Sequence, residues 1–426
     1  MNNVMYSFKE YLLHLESKNT HLEHVEDELI NHGAAGVERA LGMFMGLLDT
    51  LQGHATEPVD ITTKWDGAPA IFAGTDPADG KFFVGTKAVF GKIPKMNKRI
   101  TDINRNHGDV KRGDSKQDKS QLRKKLKTAF KTLKNIGIDG YVLQGDMLYT
   151  RDSIREATID GENHLVFKPN TITYAVPVES DLAKRIKNTD MGIVFHTMYT
   201  GGPTIHDMNA SFGFKADKLT QHSSVWFDDA TFKDVSGQVQ LTPAETSNIR
   251  ELIRECKNHF WQIKDVIEFV NVKDHISDLK VELKAHVNSA IKQQGQFEAD
   301  PVQFANSFIN RYIDKSERAI EKLKTEAGQT RKRQAMEAGI AFLEDNRTNI
   351  EMMYDLYMKL MQVKNVFVTK LSNLRAMDSF IEQEDGSFAV TKPEGFVAVD
   401  HIGNAVKLVD RLEFSKANFD PNKKFG

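Results

Sequence analysis

The hydrophobic pattern divides the chain into four stretches, and the first is helical. Over residues 1–55, apolar residues such as Val37, Leu41 and Phe44 recur at the spacing of one helix face. Gly33 lies within this pattern and predicts a break between two helices. This stretch is therefore expected to form an N-terminal helical segment.

Short strand-like runs dominate residues 56–235. These runs are separated by Gly, Pro and Asp, which is typical of strands joined by turns. They are Ile61–Lys64, Ala70–Ala73, Lys81–Thr86, Gly140–Tyr149, His164–Lys168, Thr171–Val176 and Gly192–Tyr199. Residues 56–235 are thus predicted to form the first part of a β-rich body.

Helical periodicity returns over residues 240–378. Thr242 is placed as an N-cap, Pro243 at the first helical position, and Glu245 where a capping box needs it. Residues 379–426 then return to strand-like runs, at Ser387–Val390, Gly395–Val399 and Ala405–Leu408. The whole pattern predicts an α+β protein whose β-rich body is interrupted by an all-helical insertion.

Composition narrows the class of protein. The 426 residues are 40% hydrophobic and 27% charged, as in a globular protein, and no apolar run approaches the length of a membrane span. Cys256 is the only cysteine, which excludes an internal disulfide and cysteine-rich zinc sites. These features predict a cytoplasmic protein that does not bind membranes.

Charge is concentrated in one segment although the net charge is only −2. From Lys92 to Lys134 there are fifteen Lys or Arg residues and four Asp residues. Such a segment could contact nucleic-acid phosphates, or it could be a solvated surface. It contains few aromatic residues, so base stacking is not expected there.

Lys64 is the candidate nucleophile, since Lys64-Trp-Asp-Gly67 follows a strand-like run. An amine attacks phosphorus only when neutral, and the usual lysine pKa of about 10.4 leaves roughly one molecule in a thousand neutral at pH 7. Burial and neighbouring cations increase that fraction. The tetrapeptide alone could equally be a hairpin turn with a surface lysine.

Five further segments follow the tetrapeptide Lys64-Trp-Asp-Gly67 in order along the chain. They are Phe83–Lys87, Tyr141–Asp146, Gly192–His196, Glu394–Val397 and Ala405–Val409. Together they resemble the motifs of the covalent nucleotidyltransferases, which comprise ATP-dependent DNA ligases, RNA ligases and capping enzymes. The resemblance implies a nucleotidyltransferase body with ATP-grasp-like antiparallel sheets. The overall pattern of the sequence also resembles proteins of large tailed phages, which implies that the protein acts in the cytoplasm of the host cell.

Several positions depart from the family pattern. Lys87 stands where the family has arginine, and Asp146 where it has glutamate. Val409 occupies the place of a second lysine, and Arg411, two residues further, is the proposed substitute. These departures concern the substrate and the efficiency more than the first chemical step.

The resemblance implies that Lys64 attacks the α-phosphate of ATP with Mg²⁺ or Mn²⁺ present. The AMP then passes to a 5′-phosphate end, and a 3′-hydroxyl displaces it to seal the strand.

Each motif residue has an implied role in this reaction. Lys407 would offset charge on the α-phosphate, Lys87 would hold the ribose or a phosphate, and Arg411 would assist nucleotide binding. Asp146 and Glu394 would bind the metal ion. Phe195 would stack on adenine, with Tyr174 or Tyr199 as alternatives, and Asp66 would hydrogen-bond within the turn or to the ribose.

The acceptor is expected to be nucleic acid, with RNA favoured over DNA. Only seventeen residues follow Val409, which leaves no place for the OB-fold barrel of replicative DNA ligases and capping enzymes. The helical insertion could hold a particular RNA shape or a protein partner. The alternatives are a DNA ligase, an enzyme that transfers AMP to a protein or small molecule, and a nucleic-acid-binding protein without catalysis.

Overall fold

The computed structural model describes residues 22–112, 115–231, 241–272, 276, 278–294, 296–372, 378–382, 388–390 and 394–412. The predicted α+β class is confirmed, with nine helices and sixteen strands in these ranges. The α-helices are α1 Asp27–Leu51, α2 Ile100–Asn106, α3 Ser120–Leu133, α4 Asp181–Lys187, α5 Pro243–Ile263, α6 Leu279–Gln294, α7 Pro301–Glu321, α8 Glu326–Asp345 and α9 Arg347–Ser372. The predicted apolar pattern before residue 22 lies outside the described residues.

The strands match the predicted runs and add several that the alternation did not indicate. They are β1 Asp60–Lys64, β2 Ala70–Thr75, β3 Phe82–Gly85, β4 Val110–Arg112, β5 Ser115–Gln117, β6 Val142–Thr150, β7 Arg155–Ile159, β8 Glu162–Phe167, β9 Thr173–Pro177, β10 Met191–Thr200, β11 Asn209–Phe212, β12 Val225–Asp229, β13 Asp378–Glu382, β14 Phe388–Val390, β15 Gly395–Val399 and β16 Ala405–Leu408.

Three sheets of three or more strands organise the β-rich part of the described chain. The six-stranded sheet has the order β11-β10-β6-β2-β3, with β12 also paired to β10. The five-stranded sheet has the order β14-β13-β9-β8-β7, and the three-stranded sheet the order β1-β15-β16. Strands from both ends of the chain thus meet in the three-stranded sheet, because β1 pairs antiparallel with β15.

The local signals of the helices act as the sequence predicts. The Thr242 hydroxyl accepts a hydrogen bond from the Glu245 amide, and the Glu245 carboxylate accepts one from the Thr242 amide, which completes the capping box of α5. Gly33 interrupts α1 with φ of 59°, a backbone conformation that favours glycine. The predicted break is confirmed as a kink at Gly33 that divides α1 into two helical segments.

The helical block α5–α9 shares one hydrophobic core with α1 and the three-stranded sheet. Cys256 lies buried in this core. A second core lies between α3 and one face of the six-stranded sheet. Among the described residues, none of the helices combines the length and apolar character that crossing a membrane requires.

Buried charges join the helical block to both ends of the described chain. Lys364 of α9 and Glu26 are both 0% exposed and lie 2.6 Å apart. Beside them, Arg411 donates a hydrogen bond of 2.9 Å to Asp27 and another to Tyr357. Because each charge is desolvated, the network is stable only while its partners are all present.

Replacing Lys364 by Met is expected to destabilise the protein by about 3–5 kcal/mol, because Glu26 would remain buried without its nearest partner. The matched control is Lys359→Met on the same helix, whose ion pair with Asp355 is partly exposed. That control should cost under about 1 kcal/mol. Urea unfolding followed by tryptophan fluorescence measures both, and equal losses would contradict the argument.

Candidate active site

Lys64 lies at the end of β1, where the register of the three-stranded sheet places it opposite Gly395 of β15. This register brings Glu394, the residue before β15, beside Lys64, and the two side chains form an ion pair. On the far side of β15, Lys407 of β16 lies opposite Val397. One sheet therefore carries three of the predicted site residues, although two of them lie more than 300 residues from the third.

A pocket of about 270 Å³ separates these residues from the six-stranded sheet. Its lining comprises Leu22, Lys64, Ala70, Phe72, Lys87, Gln144, Asp146, His196, Thr197, Tyr199, Ala210, Phe212 and Lys407. The volume is near the lower end of the range for small-molecule sites. Four predicted residues, Lys64, Lys87, Asp146 and Lys407, line one cavity.

Asp146 reaches the pocket from β6. Gln144 and Asp146 alternate along this strand and share its pocket face, as the period of two requires. Burial raises the pKa of the Asp146 carboxyl to about 7, opposed by the positive charge of Lys64. A Cβ added to Gly67 would lie only 2.6 Å from the Cβ of Asp146, so glycine allows the Asp-Gly turn to pack against the strand.

His196 enters the pocket through an irregularity in β10. In the pairing with β6, Phe195 lies opposite Gly145 and Thr197 opposite Gln144, so His196 is the extra residue of a bulge. The bulge turns both His196 and Thr197 toward the pocket. Burial lowers the pKa of His196 to about 4, and nearby Lys64 adds to this effect.

Asp66 has a structural position within the turn Lys64–Gly67. Its carboxylate accepts hydrogen bonds from the Asn170 side chain and from the backbone amides of Thr171 and Ile172, at 2.5 to 2.7 Å. The Asp66 amide donates to the hydroxyl of Tyr174 at 2.8 Å. Asp66 therefore fixes the turn against the loop before β9, and it is not among the residues that line the pocket.

The prediction for Phe195 requires correction. Its ring is fully buried on the opposite face of the six-stranded sheet and packs against Phe214. The bulge at His196 changes which side chains face the pocket beyond Phe195. Three other aromatic side chains, Phe72, Tyr199 and Phe212, line the pocket, with the ring centroids of Phe72 and Tyr199 5.9 Å apart. Of the predicted alternatives, Tyr199 lines the cavity.

Arg411 likewise lies outside the pocket. Strand β16 ends at Leu408, so the alternation that would keep Arg411 on the same face as Lys407 does not continue. The guanidinium instead bonds to Asp27, Tyr357 and Asn288 in the buried network. Arg411 holds the chain after β16 and does not contact the cavity.

The predicted metal ligands lie close to one another around Lys64. Burial raises the pKa of Glu394, while Lys64 opposes that shift through its charge and a hydrogen bond. Within the described ranges, no group of three or more His, Cys, Asp or Glu could hold a metal ion unaided. Mg²⁺ commonly binds one or two carboxylates and takes its other ligands from water and phosphate, so Asp146 and Glu394 fit that kind of site.

The pocket carries more positive than negative charge. Lys64, Lys87 and Lys407 line it together with one carboxylate, Asp146, and the second carboxylate, Glu394, pairs with Lys64. Burial lowers the pKa of Lys407, and the charge of Lys64 lowers it further. These partly desolvated cations favour an anionic ligand.

The pocket residues that sequence reasoning missed include Gln144, His196, Thr197, Phe72 and Phe212. Gln144 could have been found, since it precedes Asp146 by two positions on a strand. The bulge that brings in His196 depends on pairing with β6 and leaves no signal in the hydrophobic pattern.

The chain belongs to a family of unknown function (DUF6267), whose family model matches residues 19–423. The match covers the helical block as well as both parts of the β-rich body, so these regions form one family unit. No curated protein and no solved structure matches the chain.

Replacing Asp146 by Asn tests the electrostatics of the pocket. An unfolded carboxyl has its usual pKa of 3.8 and the folded one about 7, so the folded state holds an extra proton between these values. The free energy of unfolding of the wild type should therefore fall as pH rises through this window, and Asp146→Asn should not show this fall. The wild type and the variant are expected to have similar melting temperatures near pH 4. At pH 8 the variant is expected to have the higher melting temperature.

The matched control for this measurement is Asp265→Asn, since Asp265 is exposed. Its melting curve should follow the wild-type dependence on pH. A wild-type fall in stability that persists in Asp146→Asn would show that another group causes it.

Proposed function

We propose that the chain is an ATP-dependent nucleotidyltransferase that uses Lys64 as its nucleophile, and that it acts as a polynucleotide ligase with RNA as the favoured substrate. The observation that carries the proposal is the convergence of Lys64, Lys87, Lys407 and Asp146 on one pocket between two sheets. These residues come from four separate motifs of the resemblance. A hairpin with a surface lysine would not require this convergence.

In the proposed first step, the Lys64 amine attacks the α-phosphorus of the substrate ATP. A P–N bond forms, the bond from the α-phosphorus to the bridging oxygen breaks, and pyrophosphate leaves with the electron pair. The amine loses a proton as the bond forms, and the Glu394 carboxylate, which is in contact with that amine, accepts it. Positioning and charge neutralisation supply most of the rate acceleration in such displacements.

The other pocket residues have roles that follow from their chemistry. Lys407 and Lys87 would stabilise the negative charge of the phosphates. Phe212, which is half-buried, offers aromatic surface for a base beside the more deeply buried Phe72 and Tyr199. When bound by Asp146 and Glu394, Mg²⁺ would neutralise phosphate charge.

The second part of the proposal is transfer of AMP to a 5′-phosphate end and sealing by a 3′-hydroxyl. It is supported by the resemblance and by the basic segment from Lys92 to Lys134. A small-molecule acceptor would not need a basic surface of that size. The same reasoning favours a polynucleotide over transfer to a small metabolite.

Incubation with α-labelled ATP and Mg²⁺ is expected to leave label on the denatured protein, and the label should be released at acid pH as a phosphoramidate is. Lys64→Arg should abolish labelling, because the guanidinium stays protonated and cannot attack. The control is Lys81→Arg, at an exposed lysine that pairs with Asp79, which should label normally. Absence of label from folded wild-type protein with each of the four nucleoside triphosphates would disprove the proposal.

Lys407→Gln is expected to slow the formation of the labelled adduct by roughly 100-fold or more, because it removes a cation aimed at the developing charge. The loss should appear in the maximal rate more than in the ATP concentration that gives half-maximal rate. Lys215→Gln is the matched control, since Lys215 is partly buried and bonds to Thr231 but does not line the pocket. Equal rate losses in the two variants would remove Lys407 from the mechanism.

A further inference from the structure

Helix α3 carries a row of lysines along its exposed face. Lys124, Lys127, Lys131 and Lys134 are spaced by three, four and three residues, which places them on one side of the helix and its C-cap. The opposite side, formed by residues such as Leu126, is buried against the six-stranded sheet. The row spans about 15 Å along the helix axis.

The charges of this row are poorly compensated. Lys124 pairs with Asp152, and both side chains are largely exposed. The described structure gives no ionic partner to Lys127, Lys131 or Lys134. The helix itself contains no acidic residue.

The repulsion within the row is concentrated beyond the first turn of α3. At the start of the helix, the Asp118 carboxylate accepts a hydrogen bond from the Ser120 amide, and Arg123 and Lys124 pair with Asp109 and Asp152. Further along, like charges three and four positions apart repel one another. A polyanion bound along the row would relieve this repulsion.

The start of α3 lies next to the nucleophile turn. Lys125, on the flank of the helix, donates a hydrogen bond of 3.2 Å to the carbonyl of Ala68, four residues after Lys64. Asp152, the partner of Lys124, follows the end of β6, the strand that carries Asp146. The N-terminal end of the row therefore lies near the turn at Ala68, beside the six-stranded sheet whose opposite face lines the Lys64 pocket.

We propose that the lysine row of α3 binds the phosphate backbone of a polynucleotide, whose end then passes round the turn at Ala68 to the Lys64 pocket on the opposite face of the sheet. This inference rests on the proposed function for its choice of acceptor. The apolar side chains of α3 are turned into the core, so the helix offers nothing to insert into a lipid surface. Phe130, the aromatic residue of α3, packs with Phe82 against that core. The row is therefore expected to contact phosphates and not to stack on bases.

The test uses the full chain with Lys127, Lys131 and Lys134 changed to Gln. Binding of a labelled 5′-phosphorylated single-stranded oligonucleotide is followed by fluorescence anisotropy over a range of salt concentrations. Each lost contact should reduce the slope of log affinity against log salt by about 0.7, hence by about 2 for three lysines. At 0.1 M salt this corresponds to roughly 100-fold weaker binding.

The matched control replaces Lys322, Lys324 and Lys332 by Gln, which removes the same charge from exposed positions at the end of α7 and in α8. This variant should keep the wild-type slope. Labelling of Lys64 by ATP should be unchanged in both variants, because neither alters the pocket. RNA and DNA oligonucleotides should lose affinity by a similar factor.

Equal affinities and slopes in the two triple variants would overturn the proposal. Binding of the wild type to phosphatidylserine vesicles, without binding to oligonucleotides, would also overturn it. A reduced slope in a protein that ATP does not label would support the lysine row and reject the proposed function. The two ideas can thus fail independently.

Discussion

The antiparallel pairing of β1 with β15 is the constraint on which the candidate site depends. It joins segments more than 300 residues apart and sets Lys64 opposite Gly395, so that Glu394 meets the lysine and β16 follows with Lys407. A slip of one residue would turn Lys64 to the other face of the sheet. The helical block helps to secure this pairing, since it shares its core with β15 and β16.

Partial burial gives the pocket its electrostatic character. Desolvation raises the pKa of Asp146 and lowers those of His196 and Lys407, so each group is biased toward its neutral form. The same desolvation strengthens every attraction between the pocket and an anionic ligand. The buried ion pair Lys364–Glu26 fixes the segment just before α1. The backbone of this segment forms hydrogen bonds with the backbone of Lys407.

Much of the architecture could be predicted because its signals are local. The capping box at Thr242 and most strands of the β-rich body arise from residues within a few positions of one another. The error at Phe195 came from assuming that its side chain faces the pocket, whereas Phe195 packs into the core and a bulge intervenes before Thr197. The error at Arg411 came from extending β16 beyond Leu408, where the strand ends.

The sequence by itself determined the α+β class and the place of the helical block, because these depend on periodicity and turn chemistry. The choice of Lys64, Asp146, Glu394 and Lys407 as candidate site residues came from the order of their motifs and the family resemblance that this order carries. Only the tertiary structure decided which side chains share the pocket, because strand register and the bulge at His196 are set by pairing between segments distant in the chain. A hydrophobic pattern records which face of a strand is buried, but not which strand lies beside it.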